Sequence, residues 1–223
     1  QIKGKTSTRS ESTAGYGNSG FGVYYLNSVG EIDSGTGTIS IEGINQNATG
    51  ATTYSSGIVF ALNNNNKTTI TSSSTVSSAI QIRGKGTGTS NSVCGMEVET
   101  SSPLSIVASG DGGGITLSTG QTSTSTGNKY DLIARSTLEV LAKDGPINLT
   151  SIEGGVAGDI LHFSSTPYIG SRSGADIVNS SSDILIQHDK FDWGSNEPQI
   201  ATTGAVTIKP FNDSFTNTTV ETD

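Results

Sequence analysis

The residues able to do chemistry are few, and one short stretch holds most of them. Asp183, His188, Asp189, Lys190 and Asp192 lie close together in the chain and run into Trp193. Paired carboxylates at a suitable separation are the machinery of glycoside hydrolysis, and an indole is a flat apolar surface on which a sugar can stack. The stretch Gln187–Trp193 leaves a strand and enters a polar, aromatic turn. The plainer reading is a solvated loop with Phe191 or Trp193 covering the core. Asp189, Asp192 and Trp193 are therefore candidate carbohydrate contacts, and no residue is assigned a catalytic role.

The other chemistry-bearing residues stand alone. His162 sits between Leu161 and Phe163, and an outward-facing position spares it the buried hydrogen-bond partner it would otherwise need. Two histidines and one cysteine, all far apart, make no metal-ligand spacing. Cys94 is the only cysteine, which excludes an intrachain disulfide, and its apolar neighbours suit a small buried residue. Gly110–Gly114 contains a single carboxylate, Asp111, and lacks the repeated glycine–aspartate pattern of calcium-binding rolls. No cofactor is expected, and calcium is left as a candidate only at isolated Asp turns. Six Asn-x-Ser/Thr sequons occur, at Asn47, Asn66, Asn148, Asn179, Asn212 and Asn217; exposed ones are candidate glycan acceptors.

The elements that carry these residues are strands. Ser, Thr, Asn and Gly make up roughly half of the 223 residues, while charged residues are 14% and aromatics 6%. Short Ile/Val/Leu runs recur throughout, alternating with Thr and Gly, and no window holds a helical apolar period. The net charge of −8 argues against nucleic acid, because neutralising phosphates requires a basic patch. No apolar run approaches the ~18 residues of a membrane-spanning helix.

Apolar-x-apolar triplets start near Ile2, Val23, Ile39, Ile58, Ile80, Met96, Ile115, Leu138, Ile160, Ile184 and Val206, at steps averaging about 20 residues. This spacing predicts an all-β fold, a parallel β-helix (β-solenoid) of about eleven coils, right-handed, with about 20 residues per coil. A longer period overlies the first. Ile2-Lys3-Gly4, Ile41-Glu42-Gly43 and Ile82-Arg83-Gly84 place their glycines 39 and 41 residues apart. Each is followed by a polar run and a Gly-apolar step at Gly22-Val23, Gly57-Ile58 and Gly95-Met96. Plainer partner segments surround Ile32, Ile70 and Ile106. Residues 1–135 are thus expected to form paired coils with a period of about 40 residues, and 136–223 simpler coils of the same solenoid. The segments Thr6–Ser19, Asn45–Ser56 and Thr119–Lys129 follow equivalent strand ends and are expected on one side. Gly35, Gly37, Gly86, Gly88 and Gly112–Gly114 are expected in turns. No capping segment is legible at either end, which predicts continuation or end-to-end stacking.

Gly174–Ile186 and Ile200–Pro210 look like repeated units of short strand, polar turn and short strand. In this the whole chain resembles the repetitive regions of filamentous-haemagglutinin-like adhesins and other giant surface proteins. The resemblance implies a parallel β-helix, secretion to the cell surface, and a role as fibre, stalk or adhesin. It also implies partners that are neighbouring segments or subunits, or surface carbohydrates. It carries no catalytic residue with it. A carbohydrate-binding or carbohydrate-cleaving spike and a self-polymerising filament subunit are the two competing readings.

Overall fold

The computed structural model describes residues 1–6, 11–13, 17–27, 30–45, 54–62, 67–88, 92–123, 128–152, 160–193, 196–212 and 215. Within them the chain winds through three strands per coil. The first coil contains β1 (Ile2–Thr6), β2 (Glu11–Thr13), β3 (Gly17–Asn27) and β4 (Gly30–Asp33). Then follow β5 (Ile39–Asn45), β6 (Tyr54–Leu62) and β7 (Thr68–Ser72), then β8 (Ile80–Gly88), β9 (Ser92–Val98) and β10 (Leu104–Ala108). The next two coils are β11 (Ile115–Ser123), β12 (Asn128–Ala134) and β13 (Leu138–Ala142), and β14 (Ile147–Ser151), β15 (Ile160–Phe163) and β16 (Tyr168–Gly170). Last come β17 (Ile184–Gln187), β18 (Lys190–Asp192), β19 (Gln199–Ala201) and β20 (Val206–Lys209). No helix occurs among the described residues.

Strands at equivalent positions stack into three sheets. The first sheet runs β1-β5-β8-β11-β14-β17-β20, the second β2-β3-β6-β9-β12-β15-β18, and the third β4-β7-β10-β13-β16-β19. All pairs are parallel except β2 with β3. That short antiparallel strand lies along Gly17–Ser19 of β3 at one edge of the second sheet. Seven strands stacked at ~4.8 Å span about 29 Å.

The register corrects the expected coil length. Glu42 bonds to Arg83 across one coil, 41 residues on. Gly88 stands beside Ser123 after 35 residues, and Ser118 beside Thr150 after 32. Only near β20 does the step shrink to 22. The recurring 20-residue step is mostly the passage from one sheet to another within a coil: Ile39 and Ile80 belong to the first sheet, Ile58 and Met96 to the second. The longer period is the coil itself. Gly4, Gly43 and Gly84 stack in register, as do Val23, Ile58 and Met96. The plainer segments are the third sheet, where Ile32, Ile70, Ile106, Val140, Ile169 and Ile200 form one column.

These columns make the core. Alternate residues point inward, so most strands supply one to three apolar side chains and the columns fuse into one buried cluster from Ile39 to Phe191. At ~1.5–3 kcal/mol for each fully buried aliphatic side chain, a narrow core suffices because the strands inside each stack also bond above and below. Outward hydroxyls stack across adjacent strands: Ser118 and Thr150 lie 3.3 Å apart.

The first and second sheets converge along a glycine seam. A Cβ on Gly43 would collide with the Gly57 carbonyl, and one on Gly84 with the Gly95 carbonyl. Gly57 and Gly95 interrupt the pairing of β3, β6 and β9, and the side-chain alternation shifts there. Ser55 turns toward the first sheet, where it accepts from Asn45 Nδ2 at 2.8 Å and donates to the Thr87 carbonyl at 2.7 Å. Gly86 was expected in a turn but lies in β8, where an added Cβ would collide with the Cys94 carbonyl. Turns do claim Gly35 and Gly112, both with positive φ, and Gly88 has positive φ at the end of β8.

The strands of the second sheet shorten along the stack, from 11 residues in β3 through 9, 7, 7 and 4 to 3 in β18. The segment between β16 and β17 folds back over the outside of the third sheet. Its Ile177 packs on Val107 and Leu141, and Arg172 lies over the Tyr168 ring at 4.0 Å and pairs with Glu139. The Lys67 ammonium, 2.6 Å from Glu139, completes this latch. Burial opposes ionisation of Glu139, yet the two cations hold its carboxyl below the usual range.

Candidate functional site

The stretch Asp183–Trp193 does not form one site. Trp193 faces the core, stacked on Phe163 at 5.5 Å and on Phe191 at 5.3 Å between ring centroids. Both aromatic residues of the turn therefore cover the core. Asp192, one residue earlier, points outward instead. Asp189 is buried and accepts from the backbone N–H and side-chain amide of Asn212. The three candidate carbohydrate contacts thus point to three different places.

The outer face of the second sheet collects more chemistry than the sequence suggested. Val59, Glu97, Ile133, His162 and Asp192 stand in one row along β6, β9, β12, β15 and β18. Ser56, Cys94 and Tyr130 form the neighbouring row. His162 faces outward, as expected. Its Nδ1 lies 2.8 Å from Asp192 Oδ2 and its Nε2 3.0 Å from Ser164 Oγ. The Tyr130 ring packs against the imidazole, with centroids 5.2 Å apart.

Glu97 is an outward residue that is nonetheless only 1% exposed. It accepts from Ser56 Oγ and from Arg135 Nε, both at 3.1 Å. Burial, reinforced by Glu99, pushes its carboxyl up to about 7 despite Arg135. An acid that holds its proton more tightly folded than unfolded stabilises the fold at low pH. That contribution is complete below the unfolded value near 4.5 and is lost as pH rises through about 7. Glu97→Gln should therefore flatten the decline in stability between pH 5 and 8, and denaturant midpoints measured across that range would show it. An unchanged slope would mean that Glu97 does not govern the decline. Cys94 is fully buried beside Ser56, Ser92 and Glu97, and burial pushes its thiol well up, which makes it unreactive.

A second polar cluster fills the seam in the upper coils. His188 Nδ1 lies 3.1 Å from Asp131 Oδ2, with side chains 1% and 0% exposed. Ser151 also bonds to Asp131; burial raises the Asp131 carboxyl while His188 and Ser151 pull it back. Where lower coils meet glycine to glycine, these coils meet through an acid and an imidazole.

Among the described residues no group of three or more His, Cys, Asp or Glu side chains is placed to hold a metal ion. Of the sequons, Asn148 lies on the outer face of β14, Asn179 is exposed on the segment over the third sheet, and Asn212 is exposed beside Asp189. Asn47, Asn66 and Asn217 lie outside the described residues. The segments Thr6–Ser19, Asn45–Ser56 and Thr119–Lys129 each start on a strand of the first sheet and end on one of the second; residues 7–10, 14–16, 46–53 and 124–127 within them lie outside the described residues. No family model matches the chain, and no curated protein or solved structure matches it either.

Proposed function

We propose that this chain is a structural and adhesive segment of an extracellular fibre or surface appendage, wound as a right-handed solenoid. The observation that supports this most is the strand-by-strand stacking of three ladders around one apolar core. Such a stack adds stability coil by coil and tolerates variation at its corners. The connections between sheets vary in length, from two residues after β17 to thirteen after β16, and such variable corners suit contact with neighbouring segments or with surface carbohydrate. Glycans at Asn148, Asn179 and Asn212 would all project from exposed or partly exposed positions. The acidic surface favours neither nucleic acid nor anionic membrane.

Electron microscopy of natively sourced material tests the reading. Long fibres of continuous rods, containing this chain, are the expected result. Compact monomers or trimers would overturn it. A second reading, carbohydrate binding, draws support from the cluster of Tyr130, His162 and Asp192 on the outer face of the second sheet. Glycan-array binding that is lost in Tyr130→Ala would favour it.

A further inference from the structure

Ser164, His162 and Asp192 form a linear hydrogen-bonded chain on the outer face of the second sheet. His162 and Ser164 are two residues apart on and just past β15, so strand alternation puts both side chains on the same face. Asp192 is the register partner of His162 on β18, one coil away. The distances are 3.0 Å from Ser164 Oγ to His162 Nε2 and 2.8 Å from His162 Nδ1 to Asp192 Oδ2. The order of atoms matters. An ionised Asp192 accepts the proton on Nδ1, which fixes the tautomer whose Nε2 has a free lone pair facing the serine hydroxyl. Tyr130 packs against the ring and limits its rotation. Arg135 follows Ala134, the partner of Phe163, and so stands beside Ser164 in register with a partly exposed guanidinium. Ser164 itself is exposed, and Asn196 Nδ2 donates to its carbonyl at 2.8 Å, holding the backbone of the strand end.

We propose that Ser164 is an activated nucleophile toward short acyl esters, with His162 as general base and Asp192 as the group that orients it. Ser164 Oγ attacks the ester carbonyl carbon as its proton passes to His162 Nε2. The alcohol leaves with that proton, giving an acyl-serine. Water then adds by the same route, releasing the carboxylic acid and restoring Ser164. No oxidant, reductant or metal is needed. The open face places no limit on the size of the alcohol, so an acyl group carried on a polymer is as acceptable as a small ester. This activity is independent of the fibre reading, since a rod can carry it without depending on it.

The intact protein would be treated with a fluorophosphonate probe and the modified serines located by peptide mass spectrometry. Hydrolysis of p-nitrophenyl acetate would be followed in parallel. Ser173 and Ser181 are exposed serines of the same molecule and serve as internal references. Ser164 should label at least about a hundredfold faster than either, the scale of positioned general-base catalysis. Asp192→Asn keeps the shape but disturbs the tautomer, and should slow labelling by about tenfold or more with an unchanged circular dichroism spectrum. His162→Gln and Ser164→Ala should reduce ester hydrolysis to the buffer rate. Labelling of Ser164 no faster than of Ser173 and Ser181 would overturn the proposal. So would ester hydrolysis that survives Ser164→Ala.

Discussion

Replacing Gly57 by alanine should cost about 3 kcal/mol of stability, the upper part of the usual range for overpacking. The new Cβ would collide with the Lys85 amide nitrogen, and would lie 2.6 Å from the Gly95 carbonyl and 2.7 Å from the Gly43 carbonyl. All three are backbone atoms, so no side chain can swing aside. Relief requires separating the first and second sheets, and that separation breaks the bonds Asn45–Ser55 and Ser55–Thr87 just beyond the seam. Urea titration of purified Gly57→Ala would read the loss directly. Gly35→Asn is the control. It also changes a glycine, one with φ 55, but nothing lies within 4 Å of the added carbon, and asparagine accepts that backbone conformation. The control should stay within about 0.5 kcal/mol of the wild type. A Gly57→Ala protein as stable as the wild type would mean that the sheets do not touch along this line.

The second large effect is expected at the other end of the same seam. His188→Ala removes the imidazole from a fully buried Asp131 and leaves a carboxyl that neither water nor a cation can satisfy. Breaking a buried pair on one side costs about 3–5 kcal/mol. Asp131→Asn retains a hydrogen-bonding group of the same shape toward His188 and should cost much less. The effect depends on pH in a definite sense. Burial raises the Asp131 carboxyl above its ordinary range, so the folded protein takes up a proton more readily than the unfolded chain. Acidification therefore favours the fold at this residue. The penalty of His188→Ala should be larger at pH 8 than at pH 5, because the neutral acid is easier to bury alone. Denaturant midpoints for the two variants at both pH values would decide. A His188→Ala protein within about 1 kcal/mol of wild type at pH 8 would remove the pair from any account of what holds the seam.

Much of the fold was legible because a solenoid repeats its own constraints. The glycine-bearing strand ends Ile2-Lys3-Gly4, Ile41-Glu42-Gly43 and Ile82-Arg83-Gly84 stack with one another in the structure, as their common spacing implied. The coil length is not legible in the same way, because inward-facing pairs such as Ile39-x-Ile41 and Ile58-x-Phe60 look alike whichever sheet they serve. Ile147-x-Leu149 carries the same alternation and belongs to the first sheet. The seam was hidden for a related reason. Glycine marks a turn and a close backbone approach equally well, and only three-dimensional contact distinguishes Gly86 from Gly35. Of the candidate contacts, Asp192 did reach the surface, whereas Asp189 and Trp193 were taken up by Asn212 and by the aromatic core. Ser164 could not have been found without the correct coil length. A step of about 20 residues from His162 lands on Ser182 rather than on Asp192, 30 residues away.

The shortening of the second sheet has a mechanical consequence. Seven register pairs join β3 to β6, and three join β15 to β18. Fewer backbone bonds hold the sheet together at β18, so local opening starts more readily there than at β3.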